Sequence, residues 1–331
     1  MKILIIGGSG NISWHCVEKF AQRGNEVWVL NRRKTVITRR AFINNNIHVV
    51  VMDINDKEKV KKNISNMRFD IAIDFLCFSL EDAYRDIELF EGRVKQFIYI
   101  SSTANYNRVG ITYPIKEQSN IFNDNWQYAK NKIDCEKLFL KKYCQNNFPV
   151  TIIRPGHTYD TILPEAVGYG DWTNALRIMK GEPIIVHGDG NNLWTATHSS
   201  DFAEALVELV NNKSTIGKCY HITSNEILTW NEITYMLMEK LGNSNSRIIY
   251  IPSTIINKED ASLGAGLIGH KMWCDFYDNS KVKLATNGWE AEIRFEKGVS
   301  STIEWLKEDI GRQRVNKDLD DLISKLCDSY S

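Results

Sequence analysis

The segment KILIIGGSGNIS, residues 2–13, predicts the architecture of this chain more sharply than any other. Residues 3–6 of this segment are a continuous apolar run, which is typical of a parallel strand buried on both faces. Gly7 permits a tight turn after that strand, and Gly10 allows close approach to the backbone where the next helix begins. Unpaired N–H groups and the helix dipole favour an anion such as a pyrophosphate there. The segment therefore predicts a strand, an anion-binding turn and a helix, and the alternative is a tight turn without a ligand.

Strands and helices alternate along the first half of the chain. Helical spacing is found at 15–24, 57–66 and 80–90, and apolar strands are found at 26–31, 47–53, 69–76, 95–102 and 149–155. This alternation favours an α/β fold of the Rossmann type, with a doubly wound parallel sheet. In such a sheet, ligands bind at the carboxyl ends of the strands.

Composition places the chain among ordinary globular proteins. It has 331 residues, of which 43% are hydrophobic and 25% charged, and its formal net charge is zero. Zero net charge gives no general attraction to nucleic acid or an anionic membrane, and no stretch approaches the ~18 apolar residues of a membrane span. The seven cysteines have no CxxC spacing, which indicates reduced thiols rather than disulfides or a zinc site. We expect a cytoplasmic protein without a metal.

The end of the second strand bears on the choice of nucleotide. Dinucleotide-binding folds usually place an acidic residue there to hold the ribose 2′-OH, but this chain has Asn31 followed by Arg32 and Arg33. Arginine holds a phosphate bidentately, so this pattern favours NADP over NAD, and the alternative is a solvated basic loop. Asp53, at the end of the third strand, is placed to accept from an adenine amino group, to cap the next helix, or both.

A tyrosine and a lysine, Tyr128 and Lys132, stand four residues apart on the helix after the fifth strand, where they share a face. A lysine ammonium stabilises the phenolate that a tyrosine needs when it acts as a base. Ser102, at the end of the fifth strand, is placed to hold the substrate oxygen. The same spacing recurs at Tyr277 and Lys281 without a sheet beside it, and we interpret that second pair as accidental.

These segments, together with FIYISSTANY, IIRPGHTYD and HGDGNNLWTATHSSD, resemble the extended short-chain dehydrogenase/reductases, the NAD-dependent epimerase/dehydratase family. The resemblance implies that Ser102, Tyr128 and Lys132 are the catalytic set, and that the backbone near His157 contacts the nicotinamide. The full set of predicted cofactor contacts is Gly7, Ser9, Gly10, Asn11, Ile12, Asn31, Arg32, Arg33, Asp53, Ile54, Leu76, Tyr128, Lys132, Pro155 and His157.

Two departures from the family pattern limit the chemistry. Family 4,6-dehydratases carry an acidic pair after the catalytic Ser/Thr, whereas this chain has Thr103 and Ala104. Nucleotide-sugar epimerases carry a phosphate-binding Arg where this chain has Trp194. Either Trp194 stacks on a substrate ring, or it is a packing residue and another arginine, such as Arg177 or Arg247, binds the phosphate. The predicted substrate contacts are Thr103, His157, Tyr159 and Trp194.

The resemblance also implies a smaller C-terminal substrate-binding lobe. We assign residues 159–182 and 243–331 to this lobe, with a helix at 162–181 and an irregular, glycine-rich segment at 261–273. The Rossmann domain takes residues 1–158 and the returning segments 183–200 and 218–242. The family often dimerises through helices of the first domain, so a homodimer is plausible.

Taken together, the sequence predicts an NAD(P)-dependent oxidoreductase or epimerase that acts on a carbinol carbon of a sugar, sugar derivative or small polyol. The rival class is an atypical, non-catalytic member that senses NADP or binds RNA. The basic segment NRRKTVITRR, residues 31–40, is its best support. Zero net charge and the intact catalytic set weigh against that class, since RNA binding normally needs a broad basic surface. We therefore expect a small-molecule substrate and no nucleic-acid partner.

Overall fold

The computed structural model of the chain describes residues 1–32, 40–64 and 67–330. The strands, in chain order, are β1 Lys2–Ile6, β2 Glu26–Asn31, β3 Ile47–Val51, β4 Ile71–Asp74, β5 Gln96–Ile100, β6 Val150–Pro155, β7 His157–Tyr159, β8 Ile184–His187, β9 Leu193–Trp194, β10 Ala196–His198, β11 Cys219–Ile222, β12 Leu228–Thr229 and β13 Ile248–Ile251. The helices are α1 Ser13–Gln22, α2 Lys57–Ile64, α3 Leu80–Phe90, α4 Gln127–Asn146, α5 Thr173–Lys180, α6 Ser199–Leu209, α7 Trp230–Leu241, α8 Ser253–Glu259, α9 Ala261–Gly266, α10 Ser280–Ala285, α11 Phe295–Lys307 and α12 Lys317–Tyr330.

Seven of the strands form one sheet in the order β11-β6-β5-β4-β1-β2-β3. Every neighbouring pair in it is parallel. The order reverses between β1 and β4, and a doubly wound sheet has its ligand crevice at such a reversal. The predicted Rossmann-type α/β fold is confirmed.

Both faces of this sheet are covered, which is why its strands read as continuous apolar runs. Neighbouring residues of β1 point to opposite faces: Ile3 and Ile5 belong to the core under α1 and α6, and Leu4 and Ile6 to the core under α2, α3 and α4. All four are at most 1% exposed. The two cores hold the sheet rigid, so the carboxyl ends of its strands form a fixed platform.

The later part of the chain adds three two-stranded sheets. β7 pairs with β10, β9 with β12, and β8 with β13. The pairing of β8 with β13 joins residues that we assigned to the Rossmann domain (183–200) with residues that we assigned to the lobe (243–331). This pairing favours assigning residues 183–200 to the lobe rather than to the Rossmann domain. The domain boundaries remain a prediction.

Two local predictions in this part were wrong. A helix predicted over 162–181 covers only α5, because Gly168 and Gly170 adopt positive φ angles of 152° and 77° and interrupt the helical path. The segment 261–273, predicted to be irregular, contains α9 and a π-helical turn, Leu267–Lys271. Its glycines serve close packing, since a Cβ on Gly269 would lie 2.8 Å from the Cβ of Trp126.

Across the described residues, we find no helix with the length and apolar character needed to cross a membrane. Within the same residues, no group of three His, Cys, Asp or Glu side chains is arranged to hold a metal ion.

Candidate active site

A cavity of about 760 Å³ lies where the sheet order reverses. Its wall consists of Gly7, Ser9, Gly10, Asn11, Ile12, Ser13, Asn31, Arg32, Phe75, Leu76, His157, Thr158 and Ile162. Most of these residues come from the carboxyl ends of β1, β2 and β4 and from the segment after β6, as expected for a doubly wound sheet.

Glycines shape the turn that opens this cavity. Gly7 has φ 79°, and a Cβ there would lie 2.6 Å from the Cγ of Leu76 on the opposite wall. Gly8 was not predicted as a constrained position, although a Cβ there would lie 2.7 Å from Val29. A Cβ on Gly10 would meet only the Ser13 hydroxyl, at 3.3 Å, and the Gly7 carbonyl, at 3.9 Å. The turn therefore presents bare backbone to the cavity, which fits the pyrophosphate of a dinucleotide.

Gly7, Gly10 and Ser13 stand three residues apart in the chain, and Ser13 holds the turn together. Its buried hydroxyl donates to the Gly7 carbonyl at 2.7 Å and accepts from the Gly10 N–H at 2.8 Å. Asn11 links the turn to the facing wall, because its amide donates to the Thr158 carbonyl at 3.1 Å and its oxygen accepts from the Thr161 N–H at 2.9 Å. These bonds set the width of the cavity.

The end of β2 contributes Asn31, which is buried, and Arg32, which is exposed, to the cavity wall. Arg33 lies outside the described residues. Arg40, which belongs to the same basic segment, is paired with Asp160 and lies 5.3 Å from the ring centroid of Trp14 and 5.5 Å from that of Trp305. Arg40 thus serves an internal contact rather than an open basic surface.

Asp53 and Ile54 do not line the cavity. Asp53 is exposed and accepts from the Asn55 N–H at 3.0 Å, while Ile54 is packed in the core. The helix-capping role considered for Asp53 belongs instead to Asp56, whose carboxylate accepts from the Lys59 N–H at 3.2 Å. Both acids follow β3, so sequence alone did not distinguish them.

Lys132 extends from α4 to the carboxyl ends of β4 and β5. It is only 2% exposed, and its ammonium donates to the Ile100 carbonyl at 2.8 Å and to the Cys77 carbonyl at 2.7 Å. Its Nζ lies 4.4 Å from the ring centroid of Phe78 and 5.8 Å from that of Tyr128. Lys132 is not among the lining residues of the cavity, but it is bonded to Cys77, which directly follows the lining residue Leu76.

Tyr128 and Ser102 lie on neighbouring elements at the same end of the sheet. The Tyr128 ring is partly exposed and lies 4.8 Å from the ring of Trp126. The Ser102 hydroxyl accepts from the Ala104 N–H at 3.1 Å and caps the short 3-10 turn Thr103–Asn105. Thr103 is buried, and within the described residues its hydroxyl has no hydrogen-bond partner.

The second Tyr–Lys pair has a different environment. The Tyr277 hydroxyl donates to the Asp275 carboxylate, and the Lys281 ammonium lies 5.0 Å from the ring centroid of Tyr220. Tyr277 is buried, so its hydroxyl is committed to a structural contact.

His157 lies between the cavity and the lobe. It follows Pro155 at the end of β6, and its Nε2 is buried with no partner in the described part of the chain. Burial lowers the pKa of His157 to about 3, so the imidazole is neutral at physiological pH. Its ring lies 6.1 Å from that of Trp194 and 6.2 Å from that of Trp230.

The structure does not bring Trp194 or Tyr159 to the cavity. Both are 0% exposed, and Trp194 lies 4.8 Å from the ring of Trp230. Tyr159 lies 5.3 Å from the ring of Phe295 on α11. Their burial makes both of them core side chains here.

The two arginines considered as replacements for a phosphate clamp are found near α12. Arg177 donates to the Pro183 carbonyl at 2.9 Å and to the Ser324 hydroxyl at 3.0 Å, and it pairs with Asp320. Arg247 lies near enough to Cys327 in α12 that its positive charge, like that of Arg177, acts to lower the pKa of that thiol, against the larger effect of burial, which raises it.

Several residues of the site were not predicted from the sequence. Phe75, Thr158 and Ile162 line the cavity, and Phe78 covers the Lys132 ammonium. Phe75 lies directly after β4, beside the reversal of strand order, and that position was an available signal.

The NAD dependent epimerase/dehydratase family model matches residues 3–87 and 82–223 of this chain. A UDP-N-acetyl-alpha-D-glucosaminuronate decarboxylase from Bacillus cytotoxicus is 23% identical over 332 residues, which cover 93% of this chain and 98% of that protein. The human dTDP-D-glucose 4,6-dehydratase is 21% identical over 337 residues, covering 93% of this chain and 90% of that protein.

Solved structures show the same fold. An epimerase from Methanothermobacter thermautotrophicus has a TM-score of 0.78 at 18% identity, covering 95% of both chains. A UDP-glucuronic acid 4-epimerase from Bacillus cereus in complex with NAD has a TM-score of 0.71 at 16% identity, covering 93% of this chain and 97% of that one. The family match extends over the glycine turn, the Tyr128 helix and β11, and the chain therefore belongs to the NAD dependent epimerase/dehydratase family of enzymes.

Proposed function

We propose that the protein is an NAD(P)-dependent oxidoreductase or epimerase that acts on a carbinol carbon of a sugar, sugar derivative or small polyol. One observation carries the proposal: the buried Lys132 ammonium, four residues from Tyr128, is fixed at the ends of β4 and β5 and is bonded to Cys77, which directly follows the cavity residue Leu76. A family enzyme needs a cation at that place, because it stabilises a tyrosinate formed beside it.

Each of the three side chains has a separate task. Tyr128 takes the proton from the substrate hydroxyl when the carbinol is oxidised, and returns it when a carbonyl is reduced. Lys132 stabilises the negative charge on the Tyr128 oxygen, and the Ser102 hydroxyl orients the substrate oxygen. A bound nicotinamide cofactor supplies or accepts the hydride.

We propose NADP as the preferred cofactor, with NAD as the alternative. Asn31 and Arg32 line the cavity at the end of β2, where an acidic residue would repel a 2′-phosphate. The similar Bacillus cereus epimerase was solved with NAD, which keeps that cofactor open for this chain.

We infer a sugar-like substrate from the relatives, whose names specify UDP- and dTDP-linked sugars. Thr103 and Ala104 cannot act as an acid–base pair, so 4,6-dehydration is disfavoured. The burial of Trp194 supports its interpretation as a packing residue, and Arg177, which is bound to α12, offers no replacement clamp. These points favour a substrate that does not depend on an arginine-bound diphosphate.

The proposal is tested by incubating the purified protein with NADP⁺ or NAD⁺ and a panel of UDP-glucose, UDP-N-acetylglucosaminuronate, free hexoses and small polyols. Absorbance at 340 nm reports net oxidation, and NMR of the recovered sugar reports epimerisation without net redox change. We expect one of these two signals with at least one member of the panel. Cofactor binding without hydride transfer to any of them would favour the rival, a non-catalytic cofactor sensor.

A further inference from the structure

Helix α4 carries a third functional side chain on the face of Tyr128 and Lys132. Glu136 stands one turn beyond Lys132, and residues spaced by four share a helix face. Its side chain is 0% exposed, and the proposed hydride chemistry gives it no task.

The Glu136 carboxylate is the centre of a buried hydrogen-bond network. Its Oε1 accepts from the Ser101 hydroxyl, from the Asn105 amide at 3.0 Å and from Arg154 Nε at 2.9 Å. Its Oε2 accepts from Arg154 Nη2. Ser101 directly precedes Ser102, and Asn105 is the last residue of the turn that Ser102 caps, so one carboxylate holds both ends of this segment.

Arg154, on β6, is fixed in turn by neutral partners. Its Nη1 donates to the Tyr106 hydroxyl at 2.8 Å and to the Glu117 carbonyl at 3.0 Å. A buried ion pair of this kind costs desolvation free energy, so it is a weak explanation of stability by itself. The Glu136–Arg154 ion pair instead has a geometric effect, because it fixes the Glu136 carboxylate against the sheet.

Two further contacts hold the middle of the turn. The Asn123 amide donates to the Ala104 carbonyl at 2.8 Å, and Arg108 donates to the Thr103 carbonyl at 2.9 Å. These contacts come from the loop before α4 and from the segment after the turn. Among the hydrogen bonds of the described residues, those of the Glu136 carboxylate join the turn to α4, the helix that carries Tyr128.

We propose that Glu136 is a positioning residue, whose buried carboxylate fixes the Ser102 turn at the distance from Tyr128 and Lys132 that hydride transfer requires. The proposal rests on the proposed function, because it gives Ser102 and Tyr128 their catalytic tasks. A displacement of about 1 Å in such a constellation lowers turnover by roughly 100-fold.

The test compares two variants that both lack the ion pair. Glu136→Met with Arg154→Met removes the charges and the acceptors for Ser101 and Asn105. Glu136→Gln with Arg154→Met removes the charges but keeps an amide oxygen for those two donors. A third variant, Ser101→Ala, leaves the ion pair intact, and Asp134→Asn, an exposed carboxylate on the same helix, is the control.

Two measurements are made well below each variant's Tm: amide hydrogen exchange and steady-state kinetics. Exchange of the Ala104 and Asn105 amides reports on the turn, and exchange of the β1 amides reports on the sheet. In the Met/Met variant we expect turn exchange to rise roughly 10-fold with β1 unchanged, since local opening is independent of global unfolding. With the substrate found in the 340 nm and NMR screen, we expect its kcat to fall roughly 100-fold while KM and cofactor Kd stay within about 3-fold.

The Gln/Met variant decides between positioning and simple packing. Positioning predicts that it recovers kcat to within about 5-fold of the parent, since the amide oxygen again holds both ends of the turn. If kcat follows Tm across the variants, or if turn exchange is unchanged in the Met/Met variant, Glu136 only stabilises the fold and the proposal is overturned. Full activity in Tyr128→Phe would instead refute the proposed function, and the exchange data would still report on the turn.

Discussion

Lys132 and Tyr128 show how far a single residue was predictable. Spacing placed both on one helix face, but the partners of Lys132, the carbonyls of Cys77 and Ile100, lie 55 and 32 residues away in the chain and appear only in the fold. Trp194 illustrates the same limit of local spacing. The family pattern drew attention to this position, but the contact with Trp230 that helps to bury its side chain appears only in the fold. Local spacing fixes the face of a helix, and long-range packing decides what that face meets.

Replacement of Tyr128 by Phe removes only the hydroxyl that transfers the proton. We expect kcat to fall by roughly 100- to 10,000-fold, the usual range for general acid–base catalysis, with cofactor Kd little changed. Steady-state kinetics with the substrate from the screen, together with NADPH fluorescence titration, measure both quantities. Tyr84→Phe, at a tyrosine of α3 that is 57% exposed, is the matched control and should keep full activity. Equal kcat values for the two variants would refute the role of Tyr128.

Replacement of Arg32 by Ala removes a cation from the cavity wall. A hydrogen bond to a charged group contributes about 1.5–3 kcal/mol, so we expect NADPH affinity to fall roughly 10- to 100-fold while NADH affinity changes little. Arg93→Ala is the control, because Arg93 is exposed in the turn before β5, at the amino ends of the strands and away from the cavity. Equal losses for NADPH and NADH would show that Arg32 does not read the 2′-phosphate.

Among the elements, the buried strands were the most predictable, because parallel strands covered on both faces are apolar at successive residues. Glycine-rich segments were the least predictable. Glycines interrupt a helix at Gly168 and Gly170, where φ is positive, yet Gly269 lies within a helical turn against Trp126. Glycine content alone does not show whether a glycine is present because of its positive φ angle or because a neighbouring side chain leaves no space for a Cβ.

The turn after β1 offers a matched pair of glycine substitutions. Gly7 and Gly24 have nearly equal φ angles, 79° and 80°, but a Cβ would approach Leu76 to 2.6 Å at Gly7 and would meet nothing within 4 Å at Gly24. The backbone strain of about 1–2 kcal/mol is therefore common to both alanine variants. We expect Gly24→Ala to lose only that amount and to bind cofactor normally, and Gly7→Ala to lose more and to bind weakly. Urea unfolding and NADPH titration measure both effects, and equal behaviour of the two variants would contradict this account of the turn.

At the scale of the whole molecule, the buried imidazoles contribute stability that is lost in acid. Burial lowers the pKa of His187 to about 3 and that of His198 to about 4. The unfolded chain takes up these protons near pH 6.5, and the folded protein does so only near pH 4 and below, so this contribution to the free energy of unfolding falls as pH decreases through this window. One such histidine contributes roughly 2 kcal/mol of this loss between pH 7.5 and pH 5.

Urea unfolding between pH 7.5 and pH 5 checks this expectation. His187→Gln should reduce the slope of the unfolding free energy against pH by about one proton, or roughly 1.4 kcal/mol per pH unit, below pH 6. An unchanged slope would show that His187 takes up its proton in the folded state as readily as in the unfolded chain.

We propose above all that the cavity at the carboxyl ends of the sheet holds a nicotinamide nucleotide near Tyr128 and Lys132. The most direct measurement is to denature the purified protein, identify any nucleotide it releases, and titrate the emptied protein with NADPH and NADH. We predict either tightly held NAD(P)⁺ in near-stoichiometric amount, which would point to epimerisation, or an empty protein that binds NADPH more tightly than NADH, which would point to net reduction. An empty protein that binds neither nucleotide would contradict the account.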